Sequence, residues 1–185
     1  MALCDFLIST DIVGYNCASP MVKGAEQDGL LINWADVDFS ETTINYDTAE
    51  VTIALKCGGK KAYKITQSGK QPWNGSQQEM VEGAFQNTLT NTVQFAILKQ
   101  DELTAEDIYA LANGQFVAIL QNKNGTVQIY GIETGLHATE ITRAFYDDDT
   151  LSGWRVTMQE ENATMSLFIE SYAFSALQVA TNACS

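Results

Sequence analysis

A chain of 185 residues fits one domain and buries roughly 70% of the surface its unfolded form exposes, so folding requires neither metal nor disulfide. With 45% hydrophobic and 18% charged residues, the composition is that of a globular protein and excludes wholesale disorder. Ten Lys and Arg face 23 Asp and Glu, a net charge of −13, which argues against reading the sequence of a nucleic acid and against docking on anionic lipid. Such acidity either keeps the protein soluble or forms a surface that avoids a polyanion passing nearby.

The first residues, Met1 to Ile8, lack the basic and long apolar regions of a secretory signal, and no stretch approaches the roughly 20 apolar residues of a membrane span. Synthesis and folding are therefore expected in the cytoplasm. In 2–12, Leu3, Phe6 and Leu7 share one side at helical spacing, which suggests a short helix or an apolar arm. Residues 11–29 are rich in Gly, Asn, Ser and Pro and read as a long loop. From Leu30 alternation sets in, and its phase shifts near Ala35, which suggests a bulge or bend. Strand patterns follow at 43–46, 50–57 and 61–67, with Gly58-Gly59 between the last two as a hairpin signal. Residues 69–77 read as a loop, and 79–85 and 90–98 as two further strands.

One helix is expected over 104–113. Thr104 is placed to cap it with Asp107, Leu103 and Ile108 are placed to staple it, Ile108, Leu111 and Ala112 make the inward stripe, and Asn113-Gly114 ends it. Residues 116–121 and 126–132 flank Asn124-Gly125 and form the strongest hairpin signal of the chain. A strand over 136–146, an acidic turn at Asp147-Asp148-Asp149, and a strand pair, 154–159 and 165–171, joined by Glu160-Glu161-Asn162 complete the core. The tail carries Phe174, Leu177 and Val179. Only Pro20 and Pro72 occur and no Ser/Gly linker divides the chain, so a single domain 1–185 is expected: arm and loop 1–29, β core 30–172, tail 173–185. The fold class is mostly β, an antiparallel sandwich or barrel with one short flanking helix and extended terminal arms.

Chemistry-bearing patterns are sparse. Cys4, Cys17, Cys57 and Cys184 form no C-x-x-C pair, and without a secretory signal they are expected as free, mostly structural thiols. A catalytic triad would have to use the lone His137, which has no G-x-S-x-G elbow and no activated cysteine to serve. It reads as a surface or interface residue. Asp147–Asp149 lacks the spacing of a calcium loop and reads as a solvated turn, and Glu160-Glu161 as a turn tip. A carboxylate pair for glycoside hydrolysis has many candidates and nothing to single one out. No phosphate loop occurs, and no catalytic residue, metal ligand or cofactor is assigned. Lys56-Cys57-Gly58-Gly59-Lys60-Lys61 is a basic cluster in an acidic chain. It is either an exposed hairpin tip or a positive knob that meets a neighbour's acidic surface, with Lys56, Lys60 and Lys61 as its contacts. Trp34 and Trp154 fall in strand patterns and read as core, whereas Trp73, in a loop, is a candidate exposed anchor. Phe6 and Leu7 of the N-terminal arm complete the candidate interface.

Residues 115–160 resemble a segment of virion structural proteins from tailed phages that infect Bacteroidetes. There a strand, a turn and a strand ending in Tyr-Gly precede Gly-Leu, an acidic turn and a Gly-Trp strand; here these are Gln115–Gly131, Gly135-Leu136, Asp147–Asp149 and Gly153-Trp154. The resemblance implies a tail-tube-like or neck/ring protein: a non-enzymatic subunit that assembles with itself into stacked hexameric rings and with other virion proteins, through loops and terminal arms. It implies a virion location after synthesis in the bacterial host cytoplasm, with no membrane contact, and an acidic lumen that DNA crosses without sequence-specific binding. A carbohydrate- or protein-binding β-sandwich, with Trp73 and the Asp147–Asp149 loop at its site, and an unrecognised hydrolase are the other expectations.

Overall fold

In the computed structural model, residues 25–58, 60–66, 75–84, 86–97, 102–122, 125–144 and 153–169 are described. Phe6, Leu7, Trp73, Asp147–Asp149 and the C-terminal tail lie outside them. The elements in chain order are β1 (Ala25–Asn33), a 3-10 turn (Trp34–Asp36), β2 (Thr43–Asn45), β3 (Glu50–Thr52), β4 (Tyr63–Thr66), β5 (Gly75–Val81), β6 (Thr88–Ile97), α1 (Glu102–Asn113), β7 (Gln115–Asn122), β8 (Val127–Tyr130), β9 (Leu136–Ala144), β10 (Gly153–Ala163) and β11 (Leu167–Ile169). The described residues are mostly β with one α-helix, as the alternating patterns predict.

β7 is the spine. One of its edges carries β1 from Phe116 to Leu120. The opposite edge forks: β8 pairs along Ala118–Gln121, while β9 pairs at Gln115 and Phe116. From the fork one arm runs β8–β11–β3–β2 and the other β9–β10–β6–β5, and beyond β7 the sheet ends on β1 and β4. Residues 116–120 of β7 are buried without interruption, because both its faces are covered. Leu30, Ile32, Val117, Ile119, Val127 and Ile129 join the first core with Val51, Leu167 and Ile169. Leu31, Phe116, Ala118 and Leu120 join the second with Phe95, Val156, Met158 and the helix residues Ile108 and Leu111. Opposite parities of the same strands thus feed two cores.

The local signals hold best. The β7–β8 hairpin forms, with Gly125 at φ 88° in its turn. The phase shift near Ala35 is the 3-10 turn, after which Val37 bridges back to Leu55. The helix covers the expected span but starts earlier, at Glu102, so Thr104 lies inside it, and Ala112 faces solvent while Ile108 and Leu111 reach the core.

Long-range pairing overturns several expectations. β1 starts at Ala25, inside the expected loop, because backbone pairing with β7 and β4 recruits residues whose side-chain pattern is weak. β5 likewise starts at Gly75 within the expected 69–77 loop, because β6 templates it from Gln94 onward. The Gly58-Gly59 hairpin does not form: β3 pairs with β2 and β11, and β4 with β1. Nor do β10 and β11 make a hairpin, because β10 continues through a bulge to Ala163 and β11 crosses to β8 and β3. The β3–β11 pair is parallel, so the sheet is mixed rather than antiparallel throughout. Cys57 is disulfide-bonded, which corrects the expectation of free thiols; its partner lies outside the described residues.

Candidate functional site

A polar assembly occupies the fork. A ladder cannot serve the backbone N–H groups of the turn that carries the chain from β8 to β9, so they need another acceptor. Glu160 of β10 supplies it and is only 2% exposed. Its Oε2 accepts from the Gly131 N–H at 2.7 Å and from Asn91 Nδ2 at 2.7 Å; its Oε1 accepts from the N–H groups of Glu133 at 3.2 Å and Thr134 at 3.3 Å. Successive N–H groups aimed into a concavity form an anion nest, which offsets the cost of burying the carboxylate. The expectation of a turn tip at Glu160 is therefore wrong: Val156, Met158 and Glu160 share one strand parity, and the first two are core.

The network continues outward. Gln78 Nε2 donates to Asn91 Oδ1 at 2.8 Å, and Ser166 Oγ donates to Gln78 Oε1, so β5, β6, β10 and the approach to β11 are tied together. On the outer side of the turn, Glu133 accepts from the Tyr46 hydroxyl at 2.9 Å and from the Thr164 N–H at 2.6 Å, and Thr134 Oγ1 donates to the Glu161 carbonyl at 2.9 Å. Burial, with the Glu133 carboxylate beside it, raises the Tyr46 phenol. Both oxygens of Glu160 accept from donors of the fold, so this carboxylate organises the structure around the fork.

The basic cluster is also tied inward. Lys60 Nζ lies 2.8 Å from Asp36 Oδ1, and Asn33 Nδ2 donates to Asp36 Oδ2 at 2.9 Å. Lys56 Nζ donates to the Ala35 carbonyl at 2.8 Å. The two lysines thus grip the 3-10 turn, and the ammonium of Lys61 lies 5.5 Å from the centre of the Tyr63 ring. Burial alone would raise the Asp36 carboxyl. Hydrogen bonds from Lys60 and Asn33, with the charges of Lys60 and Lys56, outweigh it and hold the group below its ordinary value; the same contact raises Lys60.

The signs give a pH window. A depressed Asp36 adds stability above the ordinary carboxylate value, and loses it as pH falls through the folded value. A raised Lys60 adds stability below the ordinary lysine value, and loses it as pH rises through the folded value. The pair therefore stabilises between about pH 4 and pH 10. Asp36→Asn is expected to cost about 1 kcal/mol near neutrality, because Lys60 is half-exposed and screened. In thermal melts against pH the gap between D36N and wild type closes as pH falls from the ordinary carboxylate value through the lower folded one; a gap that stays constant as acid is added refutes the assignment.

His137 is exposed on β9. Trp154 is half-buried against the second core, with the Arg143 guanidinium 4.9 Å from its ring centre. Trp34 packs on Phe39 at 4.6 Å between centroids, and its buried Nε1 has no acceptor among the described residues. Among these residues no group of three His, Cys, Asp or Glu is placed to hold a metal ion, and no helix is long and apolar enough to cross a membrane. On β5, an outer strand that pairs only with β6 among the described residues, the two apolar residues at the end, Met80 and Val81, are 69% and 47% exposed. No family model, curated protein or solved structure matches the chain.

Proposed function

We propose that this protein is a non-enzymatic structural subunit of a phage virion that works by joining copies of itself, as a tail tube of stacked hexameric rings or as a neck or ring component. The observation that carries the reading is the outer strand β5, whose last two residues, Met80 and Val81, hold apolar side chains in solvent. An open strand with exposed apolar side chains is an aggregation hazard unless a partner covers it. Two features agree with it. The buried carboxylate is committed to holding the fork, and the resemblance of residues 115–160 points to virion proteins. A net charge of −13 suits a lumen through which DNA slides without binding. Negative-stain microscopy and light scattering across a concentration series test the reading. Rings or tubes are expected, and a strict monomer at the highest concentration overturns it.

A second reading is a carbohydrate- or protein-binding module on a bacterial surface, where the disulfide at Cys57 would persist in oxidising surroundings. Virion surfaces share that chemistry, so the disulfide alone does not choose between the two. Saturable binding of a glycan to a monomeric chain would select the module over the virion subunit.

A further inference from the structure

Seven strands form one unbroken run, β4–β1–β7–β9–β10–β6–β5, and every neighbouring pair in it is antiparallel. Alternation along such a run leaves its first and last strands pointing the same way. Closing β4 onto β5 within one chain would therefore require a parallel ladder. Parallel neighbours need a connection of about a dozen residues or more, whereas only residues 67–74 separate β4 from β5. Among the described residues each end pairs only inward, β4 with β1 and β5 with β6.

The two ends differ in chemistry. β4 presents exposed Tyr63, preceded by exposed Lys61. β5 and its exit present Glu79, Met80, Val81 and Glu82, all exposed. One end is cationic and aromatic, the other anionic and aliphatic. We propose that the β5 edge of one copy joins the β4 edge of the next, so that the sheet continues head to tail through a parallel ladder between subunits. The proposal rests on the assembly reading above and names its contact. Between copies no connecting loop limits the pairing, so the constraint that forbids closure within the chain is absent. Two unlike edges make a heterologous contact, which closes into a ring or propagates as a filament. Copies with a net charge of −13 repel one another in general, so a local cationic edge facing an acidic one selects this contact over others.

The test compares wild type, K61E, E79K, the double variant, and an equal mixture of the two single variants, by light scattering and negative-stain microscopy at low and high salt. Each single reversal places like charges across the contact and is expected to raise the concentration needed for assembly about tenfold or more. The double variant restores opposite charges at every contact, and the mixture restores them by alternation, so both are expected to assemble like wild type. Circular dichroism checks folding, and the neutral pair K61Q and E79Q, expected to weaken assembly less, replaces any reversal that fails to fold. Assembly unchanged by the single reversals, or their loss without rescue in the double variant and the mixture, overturns the edge contact while leaving self-assembly standing. A wild type that never assembles overturns the assembly reading itself.

Discussion

Glu160→Ala is expected to lower the stability of the fold by about 4 kcal/mol, because it removes at once the acceptor of four N–H donors, two of them buried and two part-buried. Each orphaned donor costs about 1–3 kcal/mol taken alone. The sum is smaller, because the space vacated by the carboxylate has polar walls and room for water to serve some of the donors. For a domain of this size the midpoint of thermal unfolding should fall by about 8–16 °C. Glu160→Gln keeps one acceptor oxygen but turns an amide against N–H donors on the other side, and should cost about half as much. Glu161→Ala is the control: that side chain is exposed, and only its backbone carbonyl takes part, accepting from Thr134. It should stay within about 0.5 kcal/mol of wild type. Denaturant melts that place E160A within about 1 kcal/mol of E161A would show that the clasp does not hold the fork.

Glu160 also shows what a sequence reveals and what it hides. In β10 the parity of Val156 and Met158 points both into the second core, and carrying that alternation two residues further puts Glu160 inside. The signal was present, but a Glu-Glu-Asn run is also the composition of a turn, and the turn reading cut the strand short. The β7–β8 hairpin was legible because everything that specifies it is local: two alternating strands and Asn124-Gly125 between them. The parallel contact of β11 with β3 joins Phe168 to Glu50, and nothing near either residue announces the other. The basic cluster is a similar case. Its charge is plain in the sequence, yet the partner of Lys60 is Asp36, which the chain brings alongside only because Val37 bridges to Leu55. Composition and periodicity specify which elements form. Which edges meet depends on how two cores share β1 and β7, and that is settled over the whole chain.

Gly131→Ala should be nearly as damaging as the loss of Glu160, at about 3–4 kcal/mol, and for a different physical reason. Gly131 opens the turn at φ 84°, a conformation that side chains rarely adopt, and an added Cβ would sit 2.5 Å from the Phe116 carbonyl oxygen and 2.8 Å from both the Leu136 amide nitrogen and its Cγ. Those backbone atoms have little freedom to retreat, because Phe116 is held between Asn33 of β1 and Leu136 of β9. Gly125→Ala separates the two contributions. Gly125 has a similar φ of 88°, but nothing lies within 4 Å of its added Cβ, so it should lose only the conformational cost of about 1 kcal/mol. The difference between the two variants measures the crowding at the fork. If G131A costs no more than G125A, the close approach of β7 and β9 at the turn is not a constraint. Combining G131A with E160A sharpens the point, because both act on the N–H groups of one turn. Once Gly131 is forced out of place, its donor no longer reaches the carboxylate, so the double variant should lose less than the sum of the singles by at least about 1 kcal/mol. Strict additivity would mean that the turn and the carboxylate stabilise the fork independently, against the geometry that joins them.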